Sequence, residues 1–305
     1  MENPKTNQRQ KLITVVGPTS SGKSDLAVLI AKKFGGEIIS ADSRQVYKGM
    51  NLGTGKITKK EMCGVPHHLL DIANPKNRYS VAQFKKDAQC AITKIRSHKK
   101  ISILCGGTGF YIQAIISGFM LPVVKPNMLL RKKLEKLSTK ELVLHLKKLD
   151  PRRAKEIDPR NPRRLIRAIE IATKLGCVPI LDTQTPCLYD VLQIGINTND
   201  EILKERIKIR LNTRLRRGMV AEGKRLHKQG VSWKRMEELG LEYKYLALFL
   251  QNKLSKQEMV EQLNSAIWQY TKRQKTWFKR DKNINWFSLD EIKKIEICVK
   301  QFFNL

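Results

Sequence analysis

The stretch Leu12-Ile-Thr-Val-Val16-Gly17-Pro18-Thr19-Ser20-Ser21-Gly22-Lys23-Ser24 decides the fold. A β-branched apolar run leads into a glycine-bounded turn. Beyond it, from Ser24 to Phe34, the residues Leu26, Leu29, Ile30 and Phe34 recur at helical spacing. Residues 17–24 fit the phosphate-loop pattern in full, and in the required context of a strand running in and a helix running out. In such a loop the backbone N–H groups and the helix N-terminus face a diphosphate. Lys23 adds a positive charge, and the Ser24 hydroxyl can ligate Mg2+. Gly17, Pro18, Thr19, Ser20, Ser21, Gly22, Lys23 and Ser24 are therefore the candidate diphosphate- or nucleotide-binding set. A glycine-rich turn of structural use alone is the competing reading, and the flanking elements argue against it.

Outward from the loop, Gly35-Gly36 stops the helix and Glu37-Ile-Ile-Ser40 forms a second strand. Val81 to Arg96 is helical, with Phe84, Ala88, Ala91, Ile92 and Ile95 inward. Ile101-Ser-Ile-Leu-Cys105 is a third strand, closed by Gly106-Gly107. Strand, helix, strand, helix, strand predicts a parallel sheet. The character changes after Gly118. From Met128 to Leu175 the pattern is helical, dense in Lys and Arg, and broken at Pro151, Pro159 and Pro162. Val191 to Ile196 is a returning strand, and Asp200 to Gln229 and Lys256 to Asp281 are long basic helices. The expected fold is α/β: a P-loop parallel-sheet core, residues 1–120 and 187–305, with an inserted helical, basic domain over 121–186.

Apolar residues make up 41% of the 305, so a core can form, but 59 Lys and Arg stand against 28 Asp and Glu, a net charge of +31. That excess calls for an anionic partner: nucleic acid, an anionic membrane or polyphosphate. The longest apolar runs, near ten residues, are too short to span a bilayer. Met1 to Lys11 is polar, without the apolar segment of a secretory signal, so a cytoplasmic protein is expected. The cysteines at 63, 90, 105, 177, 187 and 298 show neither CxxC nor zinc-ligand spacing, and reduced, mostly buried thiols are expected.

The loop specifies a diphosphate without saying which one. Nucleotide kinases and NTPases usually carry an acidic metal residue at the end of an apolar strand. The best candidate strand here, Ile101 to Cys105, ends in Gly-Gly-Thr. The second strand is instead followed by Ser40-Ala-Asp42-Ser43-Arg44-Gln45-Val46-Tyr47. Strand carboxyl ends line the ligand crevice of an open α/β sheet, which puts Asp42 near the phosphate loop. Asp42 can serve there as a general base or a water-mediated metal ligand, or it can simply cap a turn.

Taken together, GPTSSGKS and SADSRQVYKGMNLGTGK resemble the tRNA dimethylallyltransferase (tRNA isopentenyltransferase) family. So do Pro66-His-His-Leu-Leu-Asp-Ile72, Tyr79-Ser-Val-Ala-Gln-Phe84, Gly106-Gly-Thr-Gly-Phe-Tyr111, Asn161-Pro-Arg-Arg-Leu-Ile-Arg-Ala-Ile-Glu170 and Arg273-Gln-Lys-Thr-Trp-Phe278. The likeness runs in order from about residue 12 to 288, and in having no zinc finger before Leu305 the chain resembles the short, bacterial or organellar members.

The resemblance implies transfer of a prenyl group from dimethylallyl diphosphate to the N6 amine of the adenosine 3′ to the anticodon, with Mg2+ and without a membrane, by a monomer. By matching position, Asp42 becomes the base or hydrogen-bond acceptor for the amine, and Lys23 and Ser24 hold the diphosphate. Arg210 neutralises the leaving group, and Thr108 touches the substrate nucleotide. The candidate contacts to the tRNA anticodon stem-loop are Asp42, Ser43, Arg44, Gln45, Thr108, Arg131, Arg163, Arg164, Arg167, Tyr243 and Lys244. Basic residues such as Arg152, Arg153, Arg160, Arg214 and Lys272 give that grip its charge. One departure stands out: Gly240-Leu-Glu242-Tyr243-Lys244 occupies the place where many members read Gly-Tyr-Lys or Gly-Tyr-Arg, leaving Tyr243 and Lys244 as alternatives for one contact. Two other functions compete: a P-loop small-molecule kinase whose lid carries Arg152-Arg153 and Arg163-Arg164, and a non-catalytic RNA-binding protein switched by nucleotide.

Overall fold

A computed structural model describes residues 9–119, 122–180 and 188–305. Residues 1–8 of the polar N-terminus, and Cys187 among the thiols, lie outside the described residues. The chain divides into two compact units, Met1–Ser117 together with Cys187–Leu305, and Gly118–Pro186.

The first unit begins with β1 (Gln10–Val16), α1 (Lys23–Phe34), β2 (Gly36–Ser40), the short α2 (Lys59–Met62), β3 (His67–His68), α3 (Val81–Ser97), β4 (Ile101–Gly106) and α4 (Gly109–Ile116). The second unit holds α5 (Met128–Leu134), α6 (Thr139–Leu149), α7 (Pro151–Glu156) and α8 (Pro162–Leu175). The first unit then resumes with β5 (Tyr189–Ile196), α9 (Asp200–Arg216), α10 (Met219–Lys228), α11 (Trp233–Glu238), α12 (Leu241–Leu250), α13 (Lys256–Phe278), β6 (Ile284–Phe287) and α14 (Ile292–Phe303).

Among the described residues the strands form one six-stranded sheet in the order β3-β2-β4-β1-β5-β6, parallel at every pairing. Strands this apolar need cover on both faces. In β1, Leu12 and Val16 pack with α3 and α4 residues such as Phe84, Ile92 and Tyr111, while Ile13 and Val15 pack with α1 and α14 residues such as Leu26, Ile30 and Val299. The period of two thus feeds two cores from one strand. A third core, around Met50, Leu211, Tyr243 and Leu263, gathers the later helices. The register aligns the functional loops: Val16 pairs with Gly106, and Ser40 with Cys105, so the segments leaving β1, β2 and β4 depart from one carboxyl edge.

The expected single helix over 200–229 is two helices. Gly218 takes a left-handed φ of +97°, which ends α9 and starts α10 in a new direction. β3 and β6 escape a reading of hydrophobic runs because one has two residues and the other contains exposed Asn285 and Trp286. The thiols also depart from expectation: of the five described, only Cys105 is buried, its pKa pushed up to about 12 by that burial. Cys63, Cys90 and Cys177 are exposed. Cys90 shares α3 with the inward Phe84, Ala88, Ala91, Ile92 and Ile95 but belongs to its outer face.

In the second unit the prolines act as helix starters. Pro151 and Pro162 open α7 and α8, where no N–H is needed, and Asp150 and Asn161 cap them by accepting from Arg153 N (2.8 Å) and Arg164 N (3.2 Å). Leu134, Leu142, Leu146, Leu165 and Ile169 fill this unit's own core. No helix among the described residues is long and apolar enough to cross a membrane.

Candidate active site

The phosphate loop is shaped by backbone that few residues tolerate. Gly22 sits at φ +89° ahead of α1, and Ser20 is held in the left-handed region at φ +62°. Strain of this kind is characteristic of ligand-gripping turns. The Lys23 ammonium donates to Pro18 O at 3.0 Å, folding back across the loop. Burial lowers its pKa, and the Arg210 charge adds to that, while Cys105, Asp42 and Asp25 pull the other way.

The loop forms one wall of a cleft of about 540 Å3. Lys23, Lys56, Arg206, Arg210, Arg214 and Arg217 line it, opposed by Asp25 and Glu61. Arg210 is open to the cleft, and its Nη2 donates to Gly55 O at 2.9 Å. Crowding around the guanidinium, with Arg214 beside it, lowers its pKa from a high ordinary value. Gly55 must be glycine for this pairing: its φ is +58°, and a Cβ would lie 2.7 Å from Arg210 Nη2. The structure thus brings Lys23 and Arg210, far apart in sequence, to one cation-lined cleft. Among the described residues no three His, Cys, Asp or Glu side chains gather as a metal-holding group. The exposed Ser24 hydroxyl lines the same cleft, and the buried Ser21 Oγ has no partner. This donor set fits a metal that arrives with phosphate oxygens and keeps its waters, as Mg2+ does.

Asp42, after β2, has the turn-capping role that was one of its readings from sequence. Its Oδ1 caps the following turn, accepting from Arg44 N at 2.8 Å and Gln45 N at 3.3 Å. Its Oδ2 has no hydrogen bond among the described residues. One oxygen fixes the carboxylate and the other is uncommitted. Thr108, at the end of the β4 turn, accepts from Ser43 N at 3.0 Å, and its N–H donates to Ala41 O at 3.2 Å. The turns carrying Asp42 and Thr108 are therefore one hydrogen-bonded body. Gln45 reaches Gly55 O at 3.4 Å, toward the Arg210 side.

Two residues escaped the sequence reading. Tyr270 of α13 has its pKa raised to about 12 by burial and by the charge of Asp42, and it is 37% exposed. Glu222, 3% exposed, accepts from Asn51 N, Leu52 N and Gly53 N (2.9 Å each) and from Tyr243 Oη (2.7 Å), fixing the segment that leads to Gly55. A single Glu on a charged helix gives no sequence signal of such a role.

Several RNA-contact expectations require correction. Tyr243 is 1% exposed, and its hydroxyl is spent on Glu222, so it is a core residue. Lys244 is exposed and remains the candidate of the pair. Glu242 is taken up by Arg214, whose Nη1 reaches it at 3.3 Å and also donates to Gly53 O at 3.0 Å; Arg214 is thus not a free surface charge. In the second unit, Arg131 grips buried Glu170 through two bonds of 2.9 and 2.7 Å, and Arg167 pairs with the same carboxylate and with Val124 O. These two arginines hold the insert together, whereas Arg163 and Arg164 are exposed.

Comparisons with known proteins identify the chain's relatives. A family profile described as IPP transferase matches residues 45–281. A tRNA dimethylallyltransferase 2 of Treponema denticola is 44% identical over 289 residues, covering 92% of this chain and 96% of that protein. The crystal structure of a full-length tRNA isopentenylpyrophosphate transferase from Bacillus halodurans superposes with a TM-score of 0.74 at 36% identity, covering 97% of each chain. A eukaryotic dimethylallyltransferase, captured acting on tRNA, superposes with a TM-score of 0.77 at 26% identity, over 92% of this chain and 74% of that one.

Proposed function

The chain belongs to the IPP transferase family, and from that premise and the two-sided site we propose that it transfers a dimethylallyl group from dimethylallyl diphosphate to the N6 amine of the tRNA adenosine 3′ to the anticodon. The observation that carries the reading is the uncommitted Oδ2 of Asp42, on a turn whose Gln45 donates at 3.4 Å to Gly55 O, the same carbonyl that Arg210 of the cation-lined cleft reaches at 2.9 Å.

Breaking the donor C–O bond builds negative charge on diphosphate and positive charge on the allyl carbon. Lys23, Arg210 and the loop N–H groups are fixed cations and dipoles where that negative charge develops, and they need no reorganisation as it grows. Mg2+, held at Ser24, would supply further charge neutralisation to the leaving phosphates. An exocyclic amine is a weak nucleophile. Asp42 Oδ2, aimed by the bonds on Oδ1, orients the amine and accepts its proton. Thr108, Ser43 and Arg44 shape the acceptor side, and Tyr270 offers a face on which a base turned out of the anticodon loop can stack. Arg163 and Arg164, with Arg160 and Lys244, supply exposed charge for the RNA backbone.

Asp42→Asn tests the assignment. It retains an oxygen for the turn and loses the base, so tRNA binding should persist while turnover falls by about 10²–10⁴-fold. Turnover near that of the parent protein would remove Asp42 from the reaction. In parallel, calorimetry should find dimethylallyl diphosphate bound in preference to ATP. Tight ATP binding with hydrolysis would move the cleft to a kinase or NTPase.

A further inference from the structure

The segment Arg273-Gln-Lys-Thr-Trp-Phe278 carries family likeness, yet none of the chemistry above uses its glutamine. Gln274 of α13 is 6% exposed, and both ends of its amide are committed. Its Oε1 accepts from Thr19 N at 2.9 Å, and its Nε2 donates to Gly107 O at 2.9 Å. Thr19 belongs to the phosphate loop. Gly107 adjoins Thr108, whose Oγ1 takes the Ser43 N–H next to Asp42. A chain of hydrogen bonds therefore runs from the donor loop through Gln274 and the Gly107-Thr108 turn to the acceptor turn. Gly107 makes room for it: a Cβ there would fall on Gln274 Nε2.

The sheet cannot supply this link by itself. β1 and β4 are held in register only as far as Val16 and Gly106, and Thr19 and Gly107 lie beyond the ladder. A buried amide bonded at both its oxygen and its nitrogen fixes a geometry because turning it over would leave polar groups unsatisfied. Glutamine is the side chain that offers an acceptor and a donor from one planar head at this length.

We infer that Gln274 is a positioning residue that holds the phosphate loop and the Asp42–Thr108 turns at the separation the transfer requires, so that amine and allyl carbon meet at reacting distance. The inference rests on the proposed transfer reaction. It assigns Gln274 no contact with either substrate. Its loss should therefore leave each substrate's own half-site intact and lower the rate at which the bound pair reacts. A misplacement of about 1 Å can cost about 10²-fold in rate.

The test uses the full chain and two variants. Gln274→Met keeps length and removes both bonds; Gln274→Glu keeps the acceptor for Thr19 N–H and removes the donor to Gly107 O. Single-turnover transfer is measured with dimethylallyl diphosphate and unmodified tRNA both saturating, alongside the separate affinity for each. For Gln274→Met the rate constant should fall by about 10–100-fold with both affinities retained, and Gln274→Glu should be intermediate. Damage to the fold alone would reduce the amplitude and leave the rate constant of the active fraction unchanged, which would overturn the inference. Amide hydrogen exchange provides an arm that does not depend on the reaction. Thr19 N–H should lose protection in Gln274→Met and keep it in Gln274→Glu; unaltered protection in the methionine variant also overturns the inference. If the parent protein transfers nothing, the functional reading fails, and the exchange arm alone then judges the clamp.

Discussion

Glu222→Gln should destabilise the first unit far more than its near-isosteric change implies. Glu222 is 3% exposed and accepts four hydrogen bonds, two on each carboxylate oxygen. A glutamine has one oxygen. With its NH2 turned toward Asn51 and Leu52, two backbone N–H groups lose their acceptor. Turned toward Gly53 and Tyr243, it leaves the Gly53 N–H unpaired, while the Tyr243 hydroxyl can rotate to accept. The second orientation is cheaper and strands one buried donor, at about 1–3 kcal/mol. The surviving bonds also fall from charge-assisted to neutral, roughly halving their strength. The total is about 3–5 kcal/mol, a large share of an ordinary domain's stability. Tyr243→Phe leaves the carboxylate its three N–H donors and should cost only about 1 kcal/mol. Urea unfolding of parent and variants reads both numbers. A Glu222→Gln loss under about 1 kcal/mol, or a Tyr243→Phe loss equal to it, would refute the claim that this carboxylate organises the 51–53 turn.

Two further perturbations concern the insert. Burial alone would raise the Glu170 pKa, but Arg131, the Asn127 N–H and Arg167 outweigh it and hold the carboxyl down to about 2 against an ordinary 4.5. With the folded pKa below the unfolded one, the stability it contributes is complete above pH 4.5 and lost as pH falls from there through 2. Thermal melting across that window should show a loss on the order of 3 kcal/mol that Glu170→Gln abolishes; identical pH profiles would contradict the pairing. Replacing Arg163 and Arg164 together by Ala should weaken tRNA binding and flatten its salt dependence, which for a grip of roughly five phosphates is on the order of a hundredfold between about 50 and 200 mM salt. Diphosphate affinity should not change; its loss would make these arginines part of the donor site.

The parts of the fold that sequence revealed share a physical cause. β1, β2 and β4 are largely buried on both faces, so each centres on a short apolar, mostly β-branched run, and each is punctuated by glycines that the turns require. The phosphate loop and Asp42 follow from those strand ends. What sequence concealed depends on partners distant in the chain. Arg131 and Arg163 look alike as charges, yet Glu170 takes up the first and leaves the second exposed. Tyr243 beside Lys244 resembles a recognition pair until Glu222, 21 positions earlier, claims its hydroxyl. Gln274 lies inside a recognisable motif, but its use becomes visible only when α13 is packed against two loops from the start of the chain. The helix break at Gly218 rests on one glycine in a stretch whose charge pattern is otherwise continuous.

The central claim is a transfer between two specific molecules, and one incubation tests it most directly. The purified chain is mixed with Mg2+, labelled dimethylallyl diphosphate and tRNA lacking the modification, and the tRNA is digested to nucleosides. The label should appear on N6 of the single adenosine 3′ to the anticodon, with one diphosphate released per group transferred. Label that stays on the donor, or that reaches free adenine nucleotides and not tRNA, would contradict the account.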